Sequence, residues 1–171
     1  MKHECNRHHR LLERLTLLPQ RMVTAHGVAN LAEFVLHELC DDGCFELRKA
    51  AFFVDNPDFD CLKGIAGIDN NRFADSVWGN YDAFSNHMVQ VPFNHQVRSV
   101  QRTGSLNGKN SWENHAAALA DSMAVERHEW HVFPVKHGNT GILIFEPASS
   151  WRDYPDLLDR GAALLALCPI F

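Results

Sequence analysis

Histidine and cysteine are the residue types in this sequence that could carry chemistry. The chain has 11 histidines and 5 cysteines among its 171 residues. Histidine acts as an acid, a base or a metal ligand near neutral pH, and a cysteine thiolate acts as a nucleophile or a redox group. The spacing of these residues decides which of these roles the sequence supports.

That spacing predicts no metal site. Cys40 and Cys44 form a single CxxxC pair, whereas structural zinc takes four ligands at paired spacing, so core packing is expected instead. Two histidines within residues 128–131 are three positions apart on a predicted strand, where they point to opposite faces and cannot share an ion. The alternative is that His87 and His95 meet across a pocket as haem or iron ligands, and no cofactor is identified.

The sequence lacks the common catalytic motifs. No P-loop, GxGxxG or GxSxG pattern occurs, and residues 104–108 have the wrong spacing for a nucleophile elbow. The cysteines are odd in number and lack framework spacing, so reduced thiols are expected, with Cys44 and Cys61 in the core. We predict no catalytic residue. An enzyme that uses His87 or His95 as acid or base is the alternative.

Charge and hydropathy argue against two classes of partner. The formal net charge is -5 and the 16 basic residues are scattered, which argues against a nucleic-acid surface. The longest apolar stretch, residues 162–168, is shorter than the ~20 residues of a membrane span. Charged residues interrupt the N-terminal leucines, so no secretory signal is expected. We therefore expect a cytoplasmic protein with no nucleic-acid and no membrane partner.

An apolar stripe indicates a helix at the N-terminus. Four residues recur at steps of four, three and four along a predicted helix: Leu11, Leu15, Leu18 and Met22. The stripe predicts either a homodimer seam or a face packed onto its own domain. Pro19 removes one backbone donor and predicts a kink or a restart of the helix. We assign residues 1–26 to this possible dimerisation segment and residues 27–171 to the main domain.

The remaining pattern indicates an α+β fold. Residues 49–54 and 59–68 read as two strands around an Asp-Asn-Pro-Asp turn, and residues 127–135 and 141–145 read as a hairpin. Helices are predicted over residues 29–39, 94–103 and 116–123, and from Pro155 onward. This order suits an antiparallel sheet with the helices segregated to one face.

Several short segments resemble landmarks of the GAF domain family. They are the strand Lys49-Ala50-Ala51-Phe52-Phe53-Val54, the segment Val91 to Gly104 that ends in Thr-Gly, and the hairpin Val132 to Phe145 with its Phe-Pro and Gly-Ile-Leu. The resemblance runs from about residue 34 to residue 171. The N-terminal helix also resembles that of a GAF-like family of unknown function, number 484, in which a helix precedes the domain.

This resemblance implies a PAS-related antiparallel sheet whose N- and C-terminal helices pack together on one face. It also implies a ligand pocket between the sheet and an irregular, aromatic-rich middle segment. The candidate pocket residues are Phe52, Trp78, Tyr81, Phe84, His87, Phe93, His95, Arg98 and Trp112.

The best-known ligands of the family are disfavoured. Residues 70–75 lack the Lys and the closing Glu of the members that bind cyclic nucleotides. No cysteine lies between Cys61 and Cys168, where bilin-binding members and a methionine sulfoxide reductase of this fold need one. We therefore expect a homodimeric signalling module that binds an unidentified small molecule or protein partner without catalysis. A structural or interaction domain with a ligand-free core is the alternative.

Overall fold

The computed structural model describes residues 2–25, 30–70, 81–103, 112–147 and 154–170, with backbone only for residues 2–5 and 81–82. The helices are α1 (Lys2–Thr24), α2 (Leu31–Cys40), α3 (Tyr81–Gln90), α4 (Pro92–Arg98), α5 (Trp112–Ser122) and α6 (Pro155–Leu165). The strands are β1 (Leu47–Asn56), β2 (Cys61–Asp69), β3 (Gln101–Thr103), β4 (Glu129–Pro134) and β5 (Thr140–Pro147). The predicted α+β class is confirmed.

The strands form one antiparallel sheet in the order β3-β2-β1-β5-β4. β1 is central, and its residues 50–54 are all buried. A strand whose two faces are both covered is expected to be apolar without alternation, as the Ala-Ala-Phe-Phe-Val run is. The predicted strand at residues 49–54 and the predicted hairpin are both confirmed.

One face of the sheet is covered by α6. Phe52 stacks on Phe133 with ring centroids 5.7 Å apart. On the same face, His131 lies 3.1 Å from a carboxylate oxygen of Asp159 in α6. Helix α6 also contacts α1 and α2, and every residue of α2 is buried. The N- and C-terminal helices therefore pack together, as predicted.

Helix α4 covers the opposite face. Ala51 is adjacent to Phe52 and so points the other way, and its β2 partner Gly67 is overlaid by side chains of Val97 and Phe93 from α4. The prediction that the helices are segregated to one face is therefore wrong. The small residues of β2 allow a short helix to approach the second face closely.

Two local predictions about helices also need correction. Helix α1 continues through Pro19, so the predicted restart does not occur, because packing on both sides of the proline outweighs one lost backbone hydrogen bond. The helix predicted over residues 94–103 is α4, which begins at Pro92, followed by the short strand β3. A strand of three exposed residues has no alternating apolar pattern that a sequence could reveal.

Within the described residues, no helix is long and apolar enough to cross a bilayer.

Candidate functional site

The structure does not gather the predicted pocket residues at one place. Phe52 and Phe93 lie on opposite faces of the sheet, so they cannot line one pocket between the sheet and the middle segment. Trp78 lies outside the described residues, as do residues 104–108 and the side chain of Tyr81. Trp112 is half-buried at the start of α5.

The remaining predicted residues lie around α2, α3 and α4. Phe84 is buried and meets Phe34 edge to face, with ring centroids 6.1 Å apart. His95 is exposed, and its ring Nε2 contacts the carbonyl of Val89. His87 is half-buried. None of the described residues forms a cluster of histidine, cysteine, aspartate or glutamate that could hold a metal ion.

Arg98 belongs to a polar cluster that sequence reasoning did not find. Glu33 of α2 is 2% exposed, and its Oε1 accepts hydrogen bonds from Arg98 at 2.9 Å and from Asn94 at 3.3 Å. Asn94 also donates to the carbonyl of Met88 at 3.1 Å and accepts the N–H of Gly67 at 2.9 Å. The cluster therefore joins α2, α3, α4 and β2.

Asn30 extends this polar cluster beyond the carboxylate. Its Nδ2 donates to both the carbonyl and the hydroxyl oxygen of Ser85 at 3.0 Å, and its Oδ1 accepts from Arg98 at 3.4 Å. The chain itself supplies these partners, so the cluster clamps the helices together. Buried polar groups that satisfy one another in this way orient packed elements.

Burial raises the pKa of Glu33, and the opposing effects of its hydrogen bonds and of Arg98 do not cancel this shift. The folded protein therefore holds this proton more tightly than the unfolded chain does. The stabilisation is complete below the unfolded pKa near 4.5 and is lost as the pH rises through the raised folded pKa.

We expect Glu33→Gln to remove this pH dependence. The difference in the free energy of unfolding, wild type minus variant, should fall as the pH rises above 4.5, at a rate of at most about 1.4 kcal/mol per pH unit. It should level off once the pH exceeds the raised pKa of Glu33. Urea titrations between pH 4.5 and 8 measure it. Glu126→Gln, the same change at an exposed position, is the control and should leave the profile of wild type unaltered.

A cavity of about 640 Å³ lies at the other end of the sheet. Its walls are the end of β1 and the start of β2 (54–63), the β4–β5 turn (136–139) and the segment after α6 (167–170). We call it the sheet-end cavity. None of the predicted pocket residues that the structure describes lines it, and its three walls are far apart in sequence.

Strand register and turn chemistry position its first wall. Val54 pairs with Lys63 and Asn56 pairs with Cys61, so these four side chains lie on the face that carries Phe52. The side-chain oxygen of Asn56 accepts the N–H groups of Asp58 and Phe59 at 3.0 and 3.2 Å, which holds the β1–β2 turn. The register thus orients Lys63 and Cys61 into one cavity.

The lining of the cavity combines apolar side chains with a few polar and charged ones. Phe59 is 78% exposed and Leu167 is 54% exposed, two large apolar side chains at its mouth. Lys63 of β2 and Lys136 of the β4–β5 turn also line it. The side-chain oxygen of Asn139 is buried without a hydrogen-bond partner among the described groups. These features combine apolar contact area with donors for a polar group.

The buried thiol in the cavity, Cys168, is not an activated nucleophile. Burial raises the pKa of Cys168 to about 12, and its Sγ lies 3.7 Å from the carbonyl of Leu164. Burial raises the pKa of Cys44 to about 12 as well and raises the pKa of Cys40 well above its usual value, which agrees with their expected place in the core. Cys61 is half-buried and lines the cavity, so its expected place in the core is wrong.

A second cavity of about 340 Å³ lies between α1 and α6. The rings of His8 and Tyr154 stack at its wall with centroids 5.4 Å apart, and Asp156 and Arg160 also line it. It is about half the size of the sheet-end cavity. Its described lining has one carboxylate and one guanidinium group, which favour neither an anionic nor a cationic ligand.

The chain was compared with models of known protein families, with curated proteins and with solved structures, and none of the three comparisons finds a match.

Proposed function

We propose that the protein is a regulatory module of the GAF type that binds a small molecule in the sheet-end cavity and catalyses no reaction. The observation that carries this proposal is the cavity itself, whose volume of about 640 Å³ lies within the ~300–1,000 Å³ of typical ligand sites. Its lining of apolar side chains with a few polar groups is typical of such sites. Partners, a homodimeric state and a cytoplasmic setting belong to the same proposal.

The lining residues favour binding over catalysis. A nucleophilic site needs an activated group beside a base that can take its proton. Among the described lining residues, the buried thiol of Cys168 has a pKa of about 12, and His137 is exposed in a turn. Neither residue is placed as an activated nucleophile or an oriented base.

The segment after α6 would carry the signal. Leu167 and Ile170 form one wall of the cavity, and α6, immediately before them, contacts α1 and α2. A ligand that binds one position of this segment better than another shifts the balance between them. Helix α6 then transmits the shift to the N-terminal helices, where a partner contact can respond.

We expect the neutral dye Nile red to bind the sheet-end cavity and to fluoresce there, because the cavity offers apolar contact area that excludes water. Cys61→Trp should abolish this signal by filling the cavity from β2. Val23→Trp adds the same side chain at an exposed position of α1 and should leave the signal intact. Native mass spectrometry of the purified chain would report the mass of any retained ligand and the oligomeric state.

Absence of dye binding, or binding that survives Cys61→Trp in a folded variant, would refute the proposal. It would favour the rival function, a structural or interaction domain with a ligand-free core. A circular dichroism spectrum and a thermal unfolding curve establish that each variant is folded.

A further inference from the structure

We propose that the ligand of the sheet-end cavity is an amphipathic anion, with an apolar body and one carboxylate or phosphate head. This inference rests on the proposed function and adds the chemical class of the ligand. The apolar mouth of the cavity, its two lysines and Asn139 favour such a ligand.

The apolar part of the cavity requires an apolar ligand body. Phe59 and Leu167 expose much of their surface at the mouth of the cavity. Val54, which is buried, and Ile170, which is half-buried, add apolar surface to its walls. Each Å² of apolar surface removed from water contributes about 25 cal/mol. A ligand that covers these side chains therefore gains affinity from contact area without any directional bond.

The charges of the cavity favour an anionic head. Lys63 on β2 and Lys136 on the β4–β5 turn both line it, in a protein whose formal net charge is -5. Within the described residues, neither ammonium group forms an ion pair or a hydrogen bond with a protein group. Among the described lining residues, Asp58 is the one carboxylate, and it lies exposed on the β1–β2 turn. The lysines therefore outnumber the carboxylate, which disfavours a cationic ligand.

Asn139 supplies a neutral polar group to the same cavity. Its backbone is fixed, because its carbonyl accepts the N–H of Val135 at 2.9 Å, while its side-chain oxygen is buried without a partner among the described residues. The side-chain amide N–H group of Asn139 can donate a hydrogen bond to an anionic oxygen of the ligand head.

The test is displacement of Nile red from the full-length chain by four probes with the same ten-carbon tail. They are decanoate, decyl phosphate, decanol and decyltrimethylammonium, each used below its micelle-forming concentration. We expect at least one of the two anions to displace the dye at an about tenfold lower concentration than decanol. The cation should be the weakest competitor. The ratio of decanoate to decyl phosphate distinguishes a carboxylate head from a phosphate head.

The double variant Lys63→Met, Lys136→Met should reduce the anion preference to within about twofold of decanol, because methionine keeps the apolar stem and removes the charge. Displacement by decanol should not change. The matched control is Arg10→Met, Arg127→Met, which removes two charges from exposed positions outside the cavity and should retain the preference. High salt should weaken the preference of wild type through screening.

The two proposals fail in different ways. If Nile red binds and Cys61→Trp blocks it, but decanol competes as well as both anions or the cation competes best, the ligand class is wrong and the proposed function stands. If the dye does not bind in the cavity, both proposals fail.

Alkylation of Cys61 gives a second measurement that needs no variant. Cys61 is half-buried and lines the cavity, so bound decanoate or decyl phosphate should slow its reaction with iodoacetamide, followed by peptide mapping. If decanol at the same concentration protected Cys61 from alkylation equally well, the proposed anionic class of ligand would be overturned.

Discussion

Replacing Gly64 with alanine is expected to lower the free energy of unfolding by about 3 kcal/mol or more. An ideal Cβ at this position would lie 1.9 Å from the backbone carbonyl oxygen of Val97. A backbone atom cannot rotate away as a side chain can. The N–H of Gly64 also donates to the carbonyl of Val100 at 2.9 Å, which holds the end of α4 against β2, so the added methyl group forces the helix off the strand.

Urea unfolding of wild type and variant measures this loss. Gly138→Ala is the control, because a Cβ there meets no atom within 4 Å. Its φ of +73° still makes alanine unfavourable, at a cost of about 1 kcal/mol. A Gly64→Ala variant no less stable than Gly138→Ala would contradict the close contact of α4 with β2.

Leu18→Asp is the second change with a large expected effect, a loss of at least about 4 kcal/mol. Leu18 is 2% exposed within the single chain. Truncation of a buried leucine alone costs about 2–5 kcal/mol, and a buried carboxylate adds a desolvation cost. Leu17→Asp is the matched control, because the neighbouring leucine is 47% exposed and the same change there should cost no more than about 0.5 kcal/mol.

The same pair of variants tests the homodimer predicted from the apolar stripe. The structure buries all four stripe residues within one chain: Leu11, Leu15, Leu18 and Met22. The stripe therefore packs on its own domain, and a dimer would need another surface. Sedimentation decides the question. A dimeric wild type together with a folded, monomeric Leu18→Asp variant would show that the stripe is a seam between copies after all.

Ion pairs between α1 and α2 support the intramolecular packing. The carboxylate of Glu38 in α2 accepts a hydrogen bond from the guanidinium group of Arg21 and lies 3.6 Å from that of Arg14. Arg14 also lies 3.1 Å from a carboxylate oxygen of Asp41. Burial opposes ionisation of Glu38, but hydrogen bonding to His37 and the charge of Arg21 together lower its pKa. The exposed ends of these arginines weaken each pair. The contacts still fix the register of α1 on the domain.

The site was predicted less well than the elements that surround it. Phe52, Phe84 and Phe93 were correctly recognised as apolar, yet their periodicity does not say on which face of a sheet a helix will lie. Phe52 and Phe93 were consequently assigned to one pocket although the sheet separates them. Cys61 and Lys136 carry no motif, and no pattern in the sequence relates them.

The sequence by itself determined the elements that carry a pattern within their own residues. A continuous apolar run predicts strand β1, alternation around a tight turn predicts the β4–β5 hairpin, and helical periods predict α2 and α6. The class of fold followed from their order.

Only the tertiary structure decided where a ligand could bind. The sheet-end cavity forms where residues 54–63, 136–139 and 167–170 meet, and Glu33 meets Asn94 and Arg98 across more than 60 positions of the chain. Contacts of this kind leave no local signature, because each partner is selected by the packing of the whole fold and not by its neighbours along the chain. The spacing of the histidines and cysteines therefore does not mark the sheet-end cavity, which Lys63, Lys136 and Asn139 line only because distant segments of the chain pack together.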